Sequence, residues 1–392
     1  IDAFSHQAIE GAVVMLYQDH YDSIPYKELP VYLKKTDSSG NFYLNYLKAG
    51  TYKVIVLKEV NNNYLFDNPD EQIGFCDNII LPKDSGNLTL QLFTEEQPRK
   101  QYIVSSSYVS PGLLRFVFNE PVLDFKIDLL GVKWKKPWSI IDINSLRDTV
   151  DCWLTGLSGF DKLSALVYDS LLIDTVQFVI NPDTIVNELR IKHASKIRPF
   201  DSLKLVFSEP LLDPVIDNLR LISAEDSSEM SVQIHKISKG QRKLWLGFDY
   251  KDGKDYILSI FPGCFTSIYK STNTDTLITK ISVKPLNKLA DINLELNLDS
   301  LKVIANKYVL QLINSKQEVT EQQFIDGSGT YHFTYLNAGN YSLALIFDSN
   351  ENNKWDTGSY LKNIQPERVI IYDGKIEMEA GWDVELKWNL KD

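Results

Sequence analysis

Apolar and polar residues alternate in short runs along much of the chain. In Leu114-Arg-Phe-Val-Phe118 the apolar side chains fall on every second position, and the same holds for Leu203-Lys-Leu-Val-Phe207. A period of two sends successive side chains to opposite faces of an extended strand, so each run predicts a half-buried β-strand. Both runs lead into a Glu-Pro break, at Glu120-Pro121 and Glu209-Pro210. Proline lacks the N–H that a ladder needs and restricts the residue before it, so each strand is expected to end in a bend. Further alternating runs stand at Val150-Asp-Cys-Trp-Leu154, Leu244-Trp-Leu-Gly-Phe248 and Tyr256-Ile-Leu-Ser-Ile260. Helical periodicity is scarce, and residues 162–171 are the one stretch that predicts a short helix.

The strand pattern is duplicated. Gly40-Asn-Phe-Tyr-Leu-Asn-Tyr-Leu-Lys-Ala-Gly-Thr-Tyr52 returns as Gly329-Thr-Tyr-His-Phe-Thr-Tyr-Leu-Asn-Ala-Gly-Asn-Tyr341, and Glu59, Asn61, Asn63 and Asp67 sit where Asp348, Asn350, Asn352 and Asp356 sit in the second copy. A related pair thus flanks the Glu-Pro pair. Periodicity lapses at residues 95–100, 181–184 and 284–287, which divides the chain into modules 1–96, 97–184, 185–285 and 286–392 in the order A-B-B-A. At about 100 residues per sandwich, 392 residues accommodate four. The expected fold is all-β, a tandem array of four β-sandwiches with short linkers, arranged as an elongated rod.

Composition narrows the partners. A formal net charge of −11 argues against a nucleic-acid backbone or an anionic bilayer surface, both of which need clustered Lys and Arg. Cys76, Cys152 and Cys264 are odd in number, far apart and in no C-x-x-C spacing, so they read as core thiols. No apolar run is long enough to span a bilayer. The chain opens on Ile1-Asp-Ala-Phe, close to a strand, and is expected to be an excerpt of a longer precursor.

Two resemblances follow from these residues. The flanking modules resemble the carboxypeptidase-regulatory-like, or prealbumin-like, sandwich on Glu10-Gly-Ala-Val-Val-Met-Leu-Tyr17, Thr36-Asp-Ser-Ser-Gly-Asn-Phe42 and Leu47-Lys-Ala-Gly-Thr-Tyr52. There Gly40 and Gly50 are expected to supply the turns into successive strands. The middle modules resemble bacterial Ig-like domains on the phrase Phe-x-Glu-Pro. With Asn61-Asn-Asn-Tyr64 and Asn352-Asn-Lys-Trp-Asp-Thr-Gly358 in place, the whole chain is similar to Ig-like domain-containing lipoproteins of Bacteroidota. That resemblance implies a cell-surface, outer-membrane location, membrane attachment only through a lipid anchor outside this chain, and other outer-membrane or surface proteins as partners. It also implies a part in an outer-membrane assembly or export complex.

Four features bear on chemistry. Asp348, Asn350, Asn352 and Asp356 carry oxygens at the first, third, fifth and ninth positions of one loop, a spacing that suits a hard cation such as Ca²⁺. Asn353 and Ser359 stand where an EF-hand has glycine and a bidentate glutamate, and an Asn/Asp-rich turn explains the same residues without a metal. In the first copy Val60 and Tyr64 look more like strand than loop. Lys133-Trp-Lys-Lys-Pro-Trp138 sets Trp134 and Trp138 beside three ammonium groups, which fits a partner or sugar contact or an edge strand covered by lysine stems. Catalytic patterns are missing: Gly156-Leu-Ser-Gly159 is not a nucleophile elbow, the histidines (His193 and His235 among them) are scattered, and Glu120 and Glu209 occupy equivalent positions in separate modules. An intramolecular Lys–Asn cross-link of the pilin type lacks its glutamate in Tyr52-Lys-Val-Ile-Val-Leu57. The sequence therefore points to a non-enzymatic interaction scaffold, with a carbohydrate-binding surface protein as the alternative.

Overall fold

The computed structural model describes residues 1–76, 79–81, 83, 86–96, 100–131, 137–155, 161–170, 172–180, 188–212, 214, 216–301 and 305–391. Among these the chain is built from β-strands and two short 3₁₀ turns, Ile24–Tyr26 and Leu286–Lys288. It forms two compact units, Ile1–Pro98 with Leu289–Asp392, and Arg99–Lys288.

In the second unit, strands of two successive stretches form two sheets each. The first stretch orders Ser139–Ile143, Thr149–Leu154, Leu113–Phe118 and Ile103–Ser110 in one sheet, and Leu172–Val179, Lys162–Asp169 and Lys126–Leu130 in the other. Phe116, Val150, Cys152, Leu163, Ala165 and Val167 close the core between them. The expected helix over 162–171 is instead the strand Lys162–Asp169. Leu163, Ala165, Val167 and Asp169 are its buried positions, a period of two, and pairing on both sides fixes it in the sheet. The second stretch pairs Ile191–His193, Leu203–Phe207, Lys243–Phe248 and Val232–Ile237, and opposite them Lys196–Ile197, Leu277–Val283, Asp255–Ile260 and Leu219–Ser223.

In the first unit, residues 13–94 form one sheet in the order Tyr32–Lys35, Val13–Tyr17, Gly50–Lys58, Gln72–Phe75 and Phe93–Thr94, with Ile79–Leu81 also on Gly50–Lys58. Residues 290–391 form two sheets. One is Gly329–Leu336, Ala290–Ser300 and Asp383–Lys391; the other is Val319–Ile325, Lys307–Asn314, Gly339–Asp348 and Val369–Ile371, with Ile376–Met378 alongside. All five residues of Val13–Tyr17 are buried, because both faces of that sheet are covered. Ala12, Val14, Leu16, Val54 and Val56 face one core; Val13, Met15, Tyr17, Ile55 and Leu57 face another that includes Tyr360.

That shared core corrects the linear arrangement. A rod in the order A-B-B-A sets the first and last modules at opposite ends, yet here they pack together. Phe75 meets the Tyr360 ring edge-on at 5.3 Å and Phe4 meets Trp355 at the same distance. Gln365 Nε2 donates to Phe75 O at 3.0 Å, and Thr357 Oγ1 donates to Thr94 O at 2.8 Å.

Candidate interaction sites

The Asn-rich loop of the last module starts where Gly339–Asp348 leaves its sheet. Asp348 is 1 % exposed, and its two carboxylate oxygens accept the backbone N–H groups of Asn352 (3.0 Å) and Asn353 (2.8 Å). Asn352 N also donates to Asn350 Oδ1, and Lys354 N to Asn352 Oδ1, so the side chains tie the loop backbone down one after another. Asp356 Oδ2 accepts both amide groups, Asn350 Nδ2 at 2.6 Å and Asn352 Nδ2, while Lys354 Nζ lies 3.0 Å from Oδ1. Burial pushes the Asp356 carboxyl up, but the bonds from Lys354, Asn350 and Asn352 outweigh it and hold the pKa below its usual value. The four residues are thus together, and in this arrangement their carboxylate oxygens are already engaged by N–H donors. For a cation to bind, the Asn350 and Asn352 amides would have to turn their oxygens inward and Lys354 would have to leave.

A carboxylate that sequence spacing did not single out completes the loop. Glu367 accepts Ser349 N and Oγ on one oxygen and Asp356 N on the other, and its carbonyl takes the Trp355 indole N–H at 3.0 Å. In the first copy Glu71, fully buried, does the same for Val60 N and Asp67 N. Asn61 Nδ2 and Asn63 Nδ2 donate to Asp67, repeating the pattern around Asp356. Left-handed backbone recurs as well, at Asn62 and Tyr64 in one copy and Glu351 and Asn353 in the other. The copies differ at their first carboxylate. Glu59 is one methylene longer than Asp348, and neither of its buried oxygens has a hydrogen-bond partner of good geometry. Burial raises its pKa, the nearby Tyr64 amide tempers the shift, and Glu71 adds to it.

Gly40 has φ +75° and makes the expected turn, with Asp37 Oδ1 accepting Ser39 N and Asn41 N. Gly50 instead opens the next strand, and the left-handed bend between the two falls on Tyr46 (φ +59°). Its counterpart Tyr335 has φ +58°.

Trp134 lies outside the described residues, as do Lys133 and Gly156 to Gly159. Trp138 belongs to the core of its module at 9 % exposure, and one edge of it borders a shallow surface hollow with Ile127, Asp128 and Ser139. Glu209 is buried and Glu120 half-buried. His235 lies 3.1 Å from Ser202 Oγ across the strand that Gly247 occupies, and His193 Nδ1 lies 3.3 Å from Ala194 O. Burial pushes Cys152 up to about 12 and Cys264 up to about 11, which makes both inert thiols at neutral pH. Among the described residues no group of three or more His, Cys, Asp or Glu is placed to hold a metal ion.

Among the described residues, one charged cluster is not assembled by the sequence reading. Asp142 and Asp151 sit directly opposite each other on neighbouring strands. Like charges so placed repel, and Arg242 from the following module lies between them, 3.2 Å from Asp142 Oδ2 and 3.1 Å from Asp151 Oδ2. Arg115 grips Asp151 with two bonds of 2.6 and 2.8 Å. The Arg242 guanidinium also stacks 5.1 Å from the Trp153 ring, and its Nε donates to Phe207 O. Beside it Tyr269 OH donates to Leu154 O at 2.8 Å and approaches Gly112 O at 3.3 Å. The signal available in sequence was an aspartate inside each of two alternating apolar runs, Ile140-Ile-Asp-Ile143 and Val150-Asp-Cys-Trp153.

No protein-family model matches the chain, and no curated protein does. Among solved structures it is similar to the N-terminal part of the bacterial S-layer protein SbsC, at 13 % identity and TM-score 0.22, over 47 % of this chain and 43 % of that one. It is similar to domains 4–9 of surface layer protein SbsC at 12 % identity and TM-score 0.28, over 93 % of this chain and 66 % of that one. It is also similar to the major pilin subunit of Bacillus cereus at 13 % identity and TM-score 0.18, over 98 % and 96 %. The chain therefore spans less than half of the first of these. Likeness at this level carries no argument about the arrangement or role of this chain.

Proposed function

We propose that this chain is a non-enzymatic interaction scaffold, carried at the cell surface as a subunit of an outer-membrane complex for protein assembly or export. One observation carries the reading: ionic and polar side chains, Asp151 and Tyr360 among them buried, lock modules together. Arg242 with Asp142 and Asp151 joins the second and third, and Tyr360, Thr357 and Gln365 join the last to the first. Rigid joints keep contact surfaces at fixed spacing, which is what a scaffold needs. Contact surface is available on sheet edges, where Val104 and Val109 on one strand and Ile173 and Val179 on another stand 46 to 72 % exposed. The outer-membrane location and the lipid anchor rest on the sequence resemblance alone.

The test is gentle cross-linking of the protein in native membranes, followed by affinity purification and mass spectrometry. A recurrent set of outer-membrane partners is expected. Recovery of free monomer only would remove the basis of the proposal, and glycan-array binding would transfer it to the carbohydrate reading.

A further inference from the structure

The second and third modules are built in one register. Phe118 N donates to Asp148 O and Val122 N to Arg147 O, and the pair returns as Phe207 N to Arg242 O and Leu211 N to Gln241 O. Arg147 and Gln241 share the left-handed turn, at φ +59° and +52°. Arg115, Asp151 and Asp142 on the outer face of one sheet therefore correspond to Lys204, Trp245 and Lys236 on the outer face of the other, each trio side by side across three strands. The charge has changed sign. In the second module the face is covered by the turn 238–242 of the third, whose Arg242 guanidinium meets both aspartates and the Trp153 ring. In the third module Lys204 and Lys236 stand over the Trp245 ring, 5.6 and 5.4 Å from its centroid.

What this face fits follows from its charge. Lys204 and Lys236 are exposed and Trp245 is half-buried. Lys192 and Lys243 lie beside Val206 on the same side, and no strand position of this face carries a carboxylate. In a chain with 52 acidic and 41 basic residues, such a surface is opposite in sign to the molecule as a whole. Among the described residues neither Lys204 nor Lys236 pairs with a carboxylate. Two ammonium groups converging on one ring attract a carboxylate and repel a cation, and the ring supplies the kind of aromatic contact on which protein interfaces are centred. The joint already made shows what form reaches such a face. It is a tight turn with glycine at the point of contact, where a Cβ on Gly240 would lie 2.8 Å from Asp142 Cβ. A second copy of this chain does not match, because its corresponding turn presents Leu146, 70 % exposed, at the glycine position and the cation Arg147 beside it.

We propose that the outer face of the sheet formed by Ile191–His193, Leu203–Phe207, Lys243–Phe248 and Val232–Ile237 docks an acidic turn of a partner protein. A carboxylate enters between Lys204 and Lys236 over Trp245, with a glycine next to it to allow the approach. This rests on the scaffold reading and adds to it the chemistry of one partner.

The probe is a cyclic peptide of alternating Asp and Gly, titrated into the full chain at low ionic strength, with the alternating Asn and Gly peptide as its neutral control. The indole N–H signals of the 7 tryptophans are followed by NMR, and Trp245→Phe assigns the one that matters. The Asp peptide is expected to shift the Trp245 signal saturably, and the Asn peptide to leave it in place. Lys204→Glu combined with Lys236→Glu should weaken binding about tenfold or more. Lys162→Glu combined with Lys251→Glu, the same change of net charge at exposed sites elsewhere, should leave it intact. Equal loss in both double variants overturns the proposal, because the attraction is then diffuse. An unmoved Trp245 signal overturns it as well, and a shift given only by an oligogalacturonate assigns the face to an acidic glycan instead. Cross-linking in native membranes keeps the two readings apart. Partners recovered despite a silent peptide withdraw this face alone, whereas recovery of free monomer only withdraws the scaffold and this partner with it.

Discussion

At the scale of single residues, buried and half-buried carboxylates hold the joints and loops through specific partners. Asp151 carries two arginines, Arg115 and Arg242, and shares the second with Asp142. Asp151→Ala leaves Arg242, which is 19 % exposed, facing only one aspartate, and removes both bonds to Arg115. Breaking a buried pair on one side costs about 3 kcal/mol, and urea denaturation of the variant should register a loss of that order. Asp356 acts through pH. Its carboxyl titrates below its usual value of 3.8 in the folded chain and near that value once unfolded. Its contribution to stability is thus complete above the unfolded value and is lost as pH falls from there through the lower folded one. Asp356→Asn should lower stability at pH 7 while flattening its fall below pH 4, as followed by thermal melts across an acid series. Calcium titrated into the chelator-treated protein should give no heat if Lys354 and the two amides keep their places on Asp356.

At the scale of elements, the strands were legible where one face is buried. Leu113–Phe118, Leu203–Phe207 and Asp255–Ile260 show the alternation that identified them, because their outer faces meet polar surroundings. Lys162–Asp169 was not, since Leu163, Leu166 and Val167 also fit a helical spacing, and only its neighbours on both sides decide the matter. Continuous apolar runs were the missed signal. Val13-Val-Met-Leu-Tyr17 and Leu343-Ala-Leu-Ile-Phe347 bury both faces, and a strand buried on both faces needs a second partner layer. Of the candidate cation loop, spacing gave the four residues that gather, but not Glu367, which arrives from a separate segment through tertiary pairing. The joint between the second and third modules shows how local such elements are. Gly112 has φ +81°, and a Cβ there would lie 2.1 Å from the Tyr269 hydroxyl. Gly112→Ala should therefore cost about 3 kcal/mol, from backbone strain together with displacement of Tyr269, measurable as a lower denaturation midpoint for residues 99–288. Gly131, also at positive φ but with open space around it, is the control that carries the backbone term alone.

At the scale of the whole molecule, the chain leaves its first unit near residue 98 and returns to it near 289. Alternation could not announce this, because the contacts that close the unit join residues some 260 to 290 apart, such as Thr94 with Thr357 and Phe75 with Gln365. The consequence is thermodynamic. Residues 1–98 contribute a sheet whose outer face is covered by Tyr360, and the sheet containing Ala344 and Ile346 is covered in turn by Phe4 and Trp355. Neither half can lose its cover without exposing apolar surface, so the halves should melt together even though 190 residues separate them in sequence. Calorimetry should resolve two transitions, one for each unit. Tyr360 is 5 % exposed, stacks against Phe75 and lies under the Lys53 ammonium at 5.2 Å. Tyr360→Ala should lower the transition of the first unit by about 3 kcal/mol and leave the other in place. Hydrogen exchange assigns each transition to its residues. If residues 13–75 and 307–371 lose protection at different temperatures, the two halves are not one cooperative body and the contact between them is only adherent.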